Sequence, residues 1–243
     1  MKATQNYIIP TIHYNEANIN ILKYLRPRLS KKIIKILDAG CGERQSFPLY
    51  GINRIITGID RSTKVVEGRE DIDWFIKGDI RNKYLANKES FDVVYCIFVL
   101  EHIKGARLVL DNIIYWLKPG GYIILAIPDG GSAFGYISRH TTYYLHKIFF
   151  VILRLITRQN WGRRPYKAFY DKVVSKNEII NYCIANKLKI KRIYHLIQRM
   201  PIGAPLFYRI MYAMLNVFIY IVHLLSFRKL SLKHDLLFII NKQ

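Results

Sequence analysis

The stretch that most constrains this chain is Ile36–Glu43, ILDAGCGE. Aliphatic residues run into an acid, and two glycines then enclose a cysteine. Ile33–Leu37 reads as a buried strand, because it is short, nearly all aliphatic and bounded by turn residues. A strand that ends at Gly40 and Gly42 ends where the backbone has no Cβ. Such a turn can take positive φ, and a ligand can touch the main chain there.

The rest of the first half repeats the theme. Short β-prone runs are expected at Arg54–Ile59, Trp74–Lys77, Phe91–Phe98 and Tyr122–Ile127, the first ending at Asp60 and the second near Asp79. Residues 15–29 space Ile19, Leu22 and Leu25 as on a helix, with Pro27 near its end. Residues 106–117 have apolar positions at i, i+3, i+4 and i+7, which predicts a second helix. Lys118-Pro119-Gly120-Gly121 predicts a turn, and residues 130–142 a Gly/Ser-rich loop. Strands alternating with helices argue for a parallel sheet covered on both faces.

In such sheets ligands lie beyond the carboxyl ends of the strands, where the glycine turn belongs. Asp60 stands 20 residues after Gly40, a spacing that suits a carboxylate bonded to two ribose hydroxyls. A dinucleotide loop would need glycine where Gln45 stands, and no phosphate-cradling G-x-x-x-x-G-K-[ST] is present. Cys41, Cys96 and Cys183 are far apart and show no metal-ligand spacing, so no metal site is expected and reduced, cytoplasmic thiols are.

ILDAGCGE, ITGIDRS, IKGDIR, FDVVYCIFVLEHI and LKPGGYIILAIPD occur in the order and spacing of the class I S-adenosylmethionine-dependent methyltransferases, which this chain resembles over residues 33–130. The resemblance implies an α/β fold: a three-layer αβα sandwich around a seven-stranded, mostly parallel sheet whose last strand is antiparallel. It implies S-adenosylmethionine as cofactor. Asp38, Gly40, Cys41 and Gly42 match the loop that holds its methionine part, although the position of a common third glycine is Arg44. Asp60 matches the ribose acid. Asp79 and Ile80 match the residues beside the adenine, and Cys96 lies in the motif lining the cleft. Cys41 is read as a small filler, since no neighbouring base is evident to activate it. Glu101 and His102 match an acid–histidine pair, with His102 the natural base for an oxygen acceptor or, with Glu101, a pair that orders the cleft.

The second half differs in kind. Residues 1–135 carry 19 Lys/Arg against 14 Asp/Glu, and residues 136–243 carry 19 against 3. Residues 143–158 read as a basic amphipathic helix and 159–172 as an aromatic, basic loop. S-x-x-E at Ser175 opens a helix to Ala185, and 188–196 and 235–241 read as strands. Ile210–Phe227 holds no Asp, Glu, Lys or Arg.

The whole chain is read as one domain, with 131–174 and 197–233 as insertions forming a lid or membrane contact. Basic and apolar together suit an anionic membrane surface. A single crossing at 210–227 would separate two strands that belong in one sheet, so in-plane helices are expected. No basic start with a following apolar run is seen, so no signal peptide is expected. The expected protein is cytoplasmic and peripheral on the inner face of a membrane, acting on a lipid, quinone-like or lipid-linked glycan acceptor. An RNA or protein methyltransferase that uses the basic half as its binding face is the other reading.

Overall fold

The computed structural model describes residues 7–29, 33–43, 45, 47, 51–141, 151, 167–197 and 206–243. The helix expected over 143–158, Val151 apart, and residues 159–166 of the loop expected over 159–172 lie outside these residues, as does Arg44.

In chain order the elements are β1 (Thr11–His13), α1 (Tyr14–Leu29), β2 (Ile34–Ala39), β3 (Arg54–Asp60), β4 (Trp74–Lys77), β5 (Phe91–Ile97), α2 (Ala106–Trp116), β6 (Leu117–Pro128), α3 (Ala133–His140), α4 (Lys176–Ala185), β7 (Leu188–Ile197), α5 (Leu206–Leu225) and β8 (Asp235–Lys242). The strands form one sheet in the order β1-β7-β8-β6-β5-β2-β3-β4. Strand β8 runs antiparallel to both its neighbours, and every other pairing is parallel. The α/β class and the antiparallel last strand are as expected, but the described residues form eight strands rather than seven. The extra one is β1, which adds to the β7 edge. Three residues are too few to show a strand period in the sequence.

Side chains alternate across the sheet and feed two cores. On one face Leu37, Val94, Cys96, Ile123 and Leu125 meet Val109, Ile113 and Trp116 of α2 and Ile179 and Tyr182 of α4. On the other, Ile36, Val93, Tyr95 and Ile124 meet Ala17, Ile21 and Leu25 of α1. The α1 stripe is therefore rotated from the expected one: Ile19 is 68% exposed, and Pro27, a residue that closes or kinks a helix, lies inside its last turn.

Two further expectations are corrected. The Gly/Ser-rich stretch 130–142 contains helix α3, because the Ser132 hydroxyl accepts from Gly135 N–H and caps it. The Lys118–Gly121 turn lies within β6, where Gly120 at φ 77° and a register shift opposite Phe91–Val93 absorb the irregularity. The crossovers β3–β4 and β4–β5 hold short 3₁₀ turns, Thr63–Val66 and Lys83–Leu85, in place of full helices. A groove of about 510 Å³ beside the second of these turns, lined by Ile55, Thr57, Trp74, Phe75 and Tyr84, is distinct from the glycine turn.

Candidate active site

The strand order reverses between β2 and β5, and the loops after these two strands meet there. Gly40 has φ 77°, and a Cβ on it would stand 2.7 Å from the Val99 side chain that follows β5. Gly42 has φ 57°, and a Cβ there would meet nothing within 4 Å. The two glycines thus do different work: Gly40 lets the β5 loop close in, and Gly42 leaves bare backbone facing open space. Cys41 between them is buried, its sulfur turned toward Gly58 of β3. Burial pushes its thiol up to about 12, so the nucleophilic thiolate is not formed at neutral pH.

Asp60 ends β3 and accepts from two backbone donors, Gly42 N–H at 3.2 Å and Ser62 N–H at 3.1 Å. These bonds fix the carboxylate and leave lone pairs for further donors. Asp79 accepts from Arg81 through Nε and Nη2 at 3.0 and 2.7 Å, and this pairing holds its carboxyl below the usual range. Ile80 next to it is buried, and its carbonyl accepts from Asn112 of α2. Cys96 is fully buried in the core beneath the site, and burial raises its thiol well above the ordinary value.

Asp38 is buried under the glycine loop, where Arg69 donates to it at 2.9 Å. Burial, opposed by Arg69, pushes its carboxyl up to about 6. Arg69 carries no motif, and sequence reasoning missed it. It stands in an irregular loop 31 residues from Asp38, so no helical or strand period links the two.

After β5 the chain makes a 3₁₀ turn, Leu100–His102. Glu101 is buried, and its Oε2 has no hydrogen-bond partner among the described residues. Burial pushes its carboxyl up to about 8, so it is neutral at pH 7. His102 lies beside it, Nε2 to Oε1 being 3.7 Å, too long for a hydrogen bond. The His102 ring is about one-third exposed. Its Nδ1 is 3.0 Å from the Lys167 carbonyl. A carbonyl only accepts, so Nδ1 carries the proton and Nε2 keeps its lone pair. Desolvation lowers the His102 pKa, against that hydrogen bond.

A strap, residues 167–171, fastens this turn. Phe169 and Tyr170 N–H donate to the Glu101 carbonyl at 2.7 and 3.2 Å. Asp171 accepts from Gly105 and Ala106 N–H at the start of α2, at 2.9 and 3.2 Å. Tyr170 holds a left-handed φ of 44° within it, a conformation that surrounding contacts must enforce. No sequence signal pointed to the strap.

The family model described as a methyltransferase domain matches residues 12–182 of this chain. The chain belongs to this family.

This chain is 27% identical over 134 residues to the ubiquinone biosynthesis O-methyltransferase of Coxiella burnetii, covering 52% of this chain and 53% of that protein. It thus spans about half the length of that relative. The namesake from Rickettsia typhi is 24% identical over 209 residues, covering 79% of this chain and 70% of the other. Among solved structures it resembles the YcgJ protein of Bacillus subtilis, with TM-score 0.53, 15% identity, and 93% and 97% of the two chains covered. It also resembles the magnesium protoporphyrin IX methyltransferase of Synechocystis, solved with bound S-adenosylmethionine, with TM-score 0.52, 14% identity, and 94% and 79% covered. These two likenesses show the fold.

The residues present fit S-adenosylmethionine, the cofactor that the resemblance implies. Gly42 offers bare backbone to open space, and the pre-held Asp60 carboxylate flanks it.

Proposed function

We propose that this methyltransferase transfers a methyl group to a hydroxyl of a small quinone-like or lipid-linked acceptor at the surface of an anionic membrane, with His102 as the base. The cofactor, when bound, supplies the methyl group on its sulfonium. Asp60 receives the ribose hydroxyls and the glycine loop the aminoacyl end, while Asp79 and Ile80 flank the adenine. His102 Nε2, kept unprotonated by the Lys167 carbonyl, accepts the proton of the acceptor hydroxyl. Glu101 serves as the anchor of the strap through its main-chain carbonyl.

The observation that carries the acceptor class is helix α5. It joins two strands paired in one sheet, β7 and β8, so its two ends return to the same side. It contains no Asp or Glu, and it exposes Ile210, Met214, Val217, Phe218 and Ile221. A soluble helix normally hides such a surface. Arg209 precedes most of this run, and Arg228 and Lys229 follow it, as suits anionic headgroups. Among the described residues no helix is long and apolar enough to cross a membrane, which agrees with a helix lying in the interface plane. The names of the Coxiella and Rickettsia relatives agree with a hydroxyl on a quinone-like ring.

The test is transfer of labelled methyl from S-adenosylmethionine into fractionated cell extract. Label in the organic phase is expected. Label confined to RNA or protein overturns the acceptor class.

A further inference from the structure

A loop built on Gly40 and Gly42 has no side chains at those positions to hold it. Glycine gains the most freedom when unfolded, and a ligand that must order such a loop binds more weakly for it. Something other than the loop must therefore hold it in shape.

Arg69 is placed to do this. Its guanidinium side chain is 2% exposed, and each of its three nitrogens donates. Nε and Nη2 take the two oxygens of Asp71 at 2.7 and 2.9 Å. Nη2 also reaches Asp38 at 2.9 Å. Nη1 reaches the carbonyls of Cys41 at 2.6 Å and Gly42 at 3.2 Å. The bidentate Asp71 aims the fork, and the fork then fixes two successive peptide groups of the loop. On its amide side the loop is held by Asp60, through Gly42 N–H. The chain of contacts runs from Asp71 through Arg69 and Gly42 to Asp60.

We propose that Arg69 is a positioning residue for S-adenosylmethionine: it pre-forms the glycine loop and, through Gly42, the seat of Asp60. This rests on the reading that the loop holds the cofactor. The geometry needs a planar fork with five N–H groups. A lysine, with one point charge on a flexible stem, cannot satisfy two carbonyls and two carboxylates at once. The positive charge also offsets Asp38 and Asp71, which otherwise face the loop as uncompensated acids.

The experiment is calorimetric titration of the purified full chain with S-adenosylmethionine and with S-adenosylhomocysteine, for wild type, R69Q and R69K. Methyl transfer at saturating cofactor is measured in parallel. R69Q is expected to weaken binding of both ligands about 10–100-fold, the scale of lost charge-assisted hydrogen bonds. Its kcat at saturating cofactor is expected to stay within about threefold of wild type, with the loss confined to the cofactor KM. R69K is expected to recover part of the affinity. Addition of millimolar ethylguanidinium to R69A is expected to do the same.

Unchanged affinity in a folded R69Q protein overturns the proposal, as does a kcat loss at saturation equal to the loss in affinity. If R69Q does not fold, D71N is read instead: it keeps Arg69 but removes half of the pair that aims it. A loss of about threefold to tenfold in affinity is then expected, and none overturns the proposal. Failure of the wild-type chain to bind either ligand would instead overturn the assignment of the loop.

Discussion

The Nδ1 of His102 lies 3.0 Å from the carbonyl oxygen of Lys167. Two segments separated by 65 residues thereby set one tautomer. If His102 is the base proposed above, the strap is what leaves its Nε2 free to act, since without the carbonyl the proton would be shared between both ring nitrogens.

The first prediction follows directly. His102→Ala should lower kcat about 10²–10⁴-fold, the usual range for a lost general base, with cofactor affinity unchanged by calorimetry. The base works deprotonated, and burial lowers its pKa. The wild-type kcat/KM should therefore rise with pH through a value below the ordinary histidine pKa and be level by pH 7. Asp171→Ala, which frees the strap from α2, should lower kcat while leaving cofactor binding intact.

Asp60 is held by two backbone N–H groups before any ligand arrives. Asp60→Ala should weaken S-adenosylmethionine binding at least about 30-fold, as expected for lost hydrogen bonds to a charged group. Unchanged affinity by calorimetry would remove the ribose assignment.

Glu101 is neutral in the folded chain up to a pKa of about 8 because it is buried. Its unfolded value is near 4.5. Between these values the unfolded chain has released a proton that the folded chain keeps, so stability falls as pH rises. That contribution is fully present below pH 4.5 and is lost as pH rises through 8. Glu101→Gln should therefore raise Tm relative to wild type at pH 8 and lose that advantage toward pH 5. At this chain length about 2–4 °C is expected per kcal/mol.

How much of this was legible from residues alone can be seen at a few positions. The central strands of the first half were readable because burial on both faces demands continuous apolar runs, and the runs at β2, β3 and β4 are followed by Asp38, Asp60 and Gly78. Asp60 was singled out because it closes the strand after the glycine turn, 20 residues on from Gly40, and its carboxylate does stand against that turn, on Gly42 N–H. Arg69 was not, because its partners Asp38, Cys41 and Gly42 are reached through an irregular loop with no period. Helix α3 was hidden because Ser132 and its flanking glycines carry turn chemistry, although the hydroxyl caps a helix. The α1 stripe was misphased because Ala17 is small and Ile19 large, so side-chain size alone pointed to the wrong face.

Cys41 drew attention in the sequence, and the fold makes it inert. Cys41→Ala should keep activity within about twofold, and iodoacetamide at pH 7 should leave the native thiol unmodified, because burial holds it near 12. Rapid alkylation with loss of activity would contradict this.

The exposed face of α5 gives a separable prediction. Val217→Asp with Ile221→Asp should abolish flotation with phosphatidylglycerol vesicles while leaving S-adenosylmethionine affinity unchanged. Binding that survives both charges but disappears at high salt would point to a polyanion partner instead.

The most direct measurement of the central claim is S-adenosylhomocysteine formation by the purified chain. The acceptor is a phenolic hydroxyl on an apolar tail, presented in anionic vesicles, with His102→Ala run beside wild type. The account predicts product formation that requires the vesicle-held phenol and falls at least about 100-fold in the variant. Turnover with RNA or protein but not with the phenol, or equal turnover by His102→Ala, would contradict it.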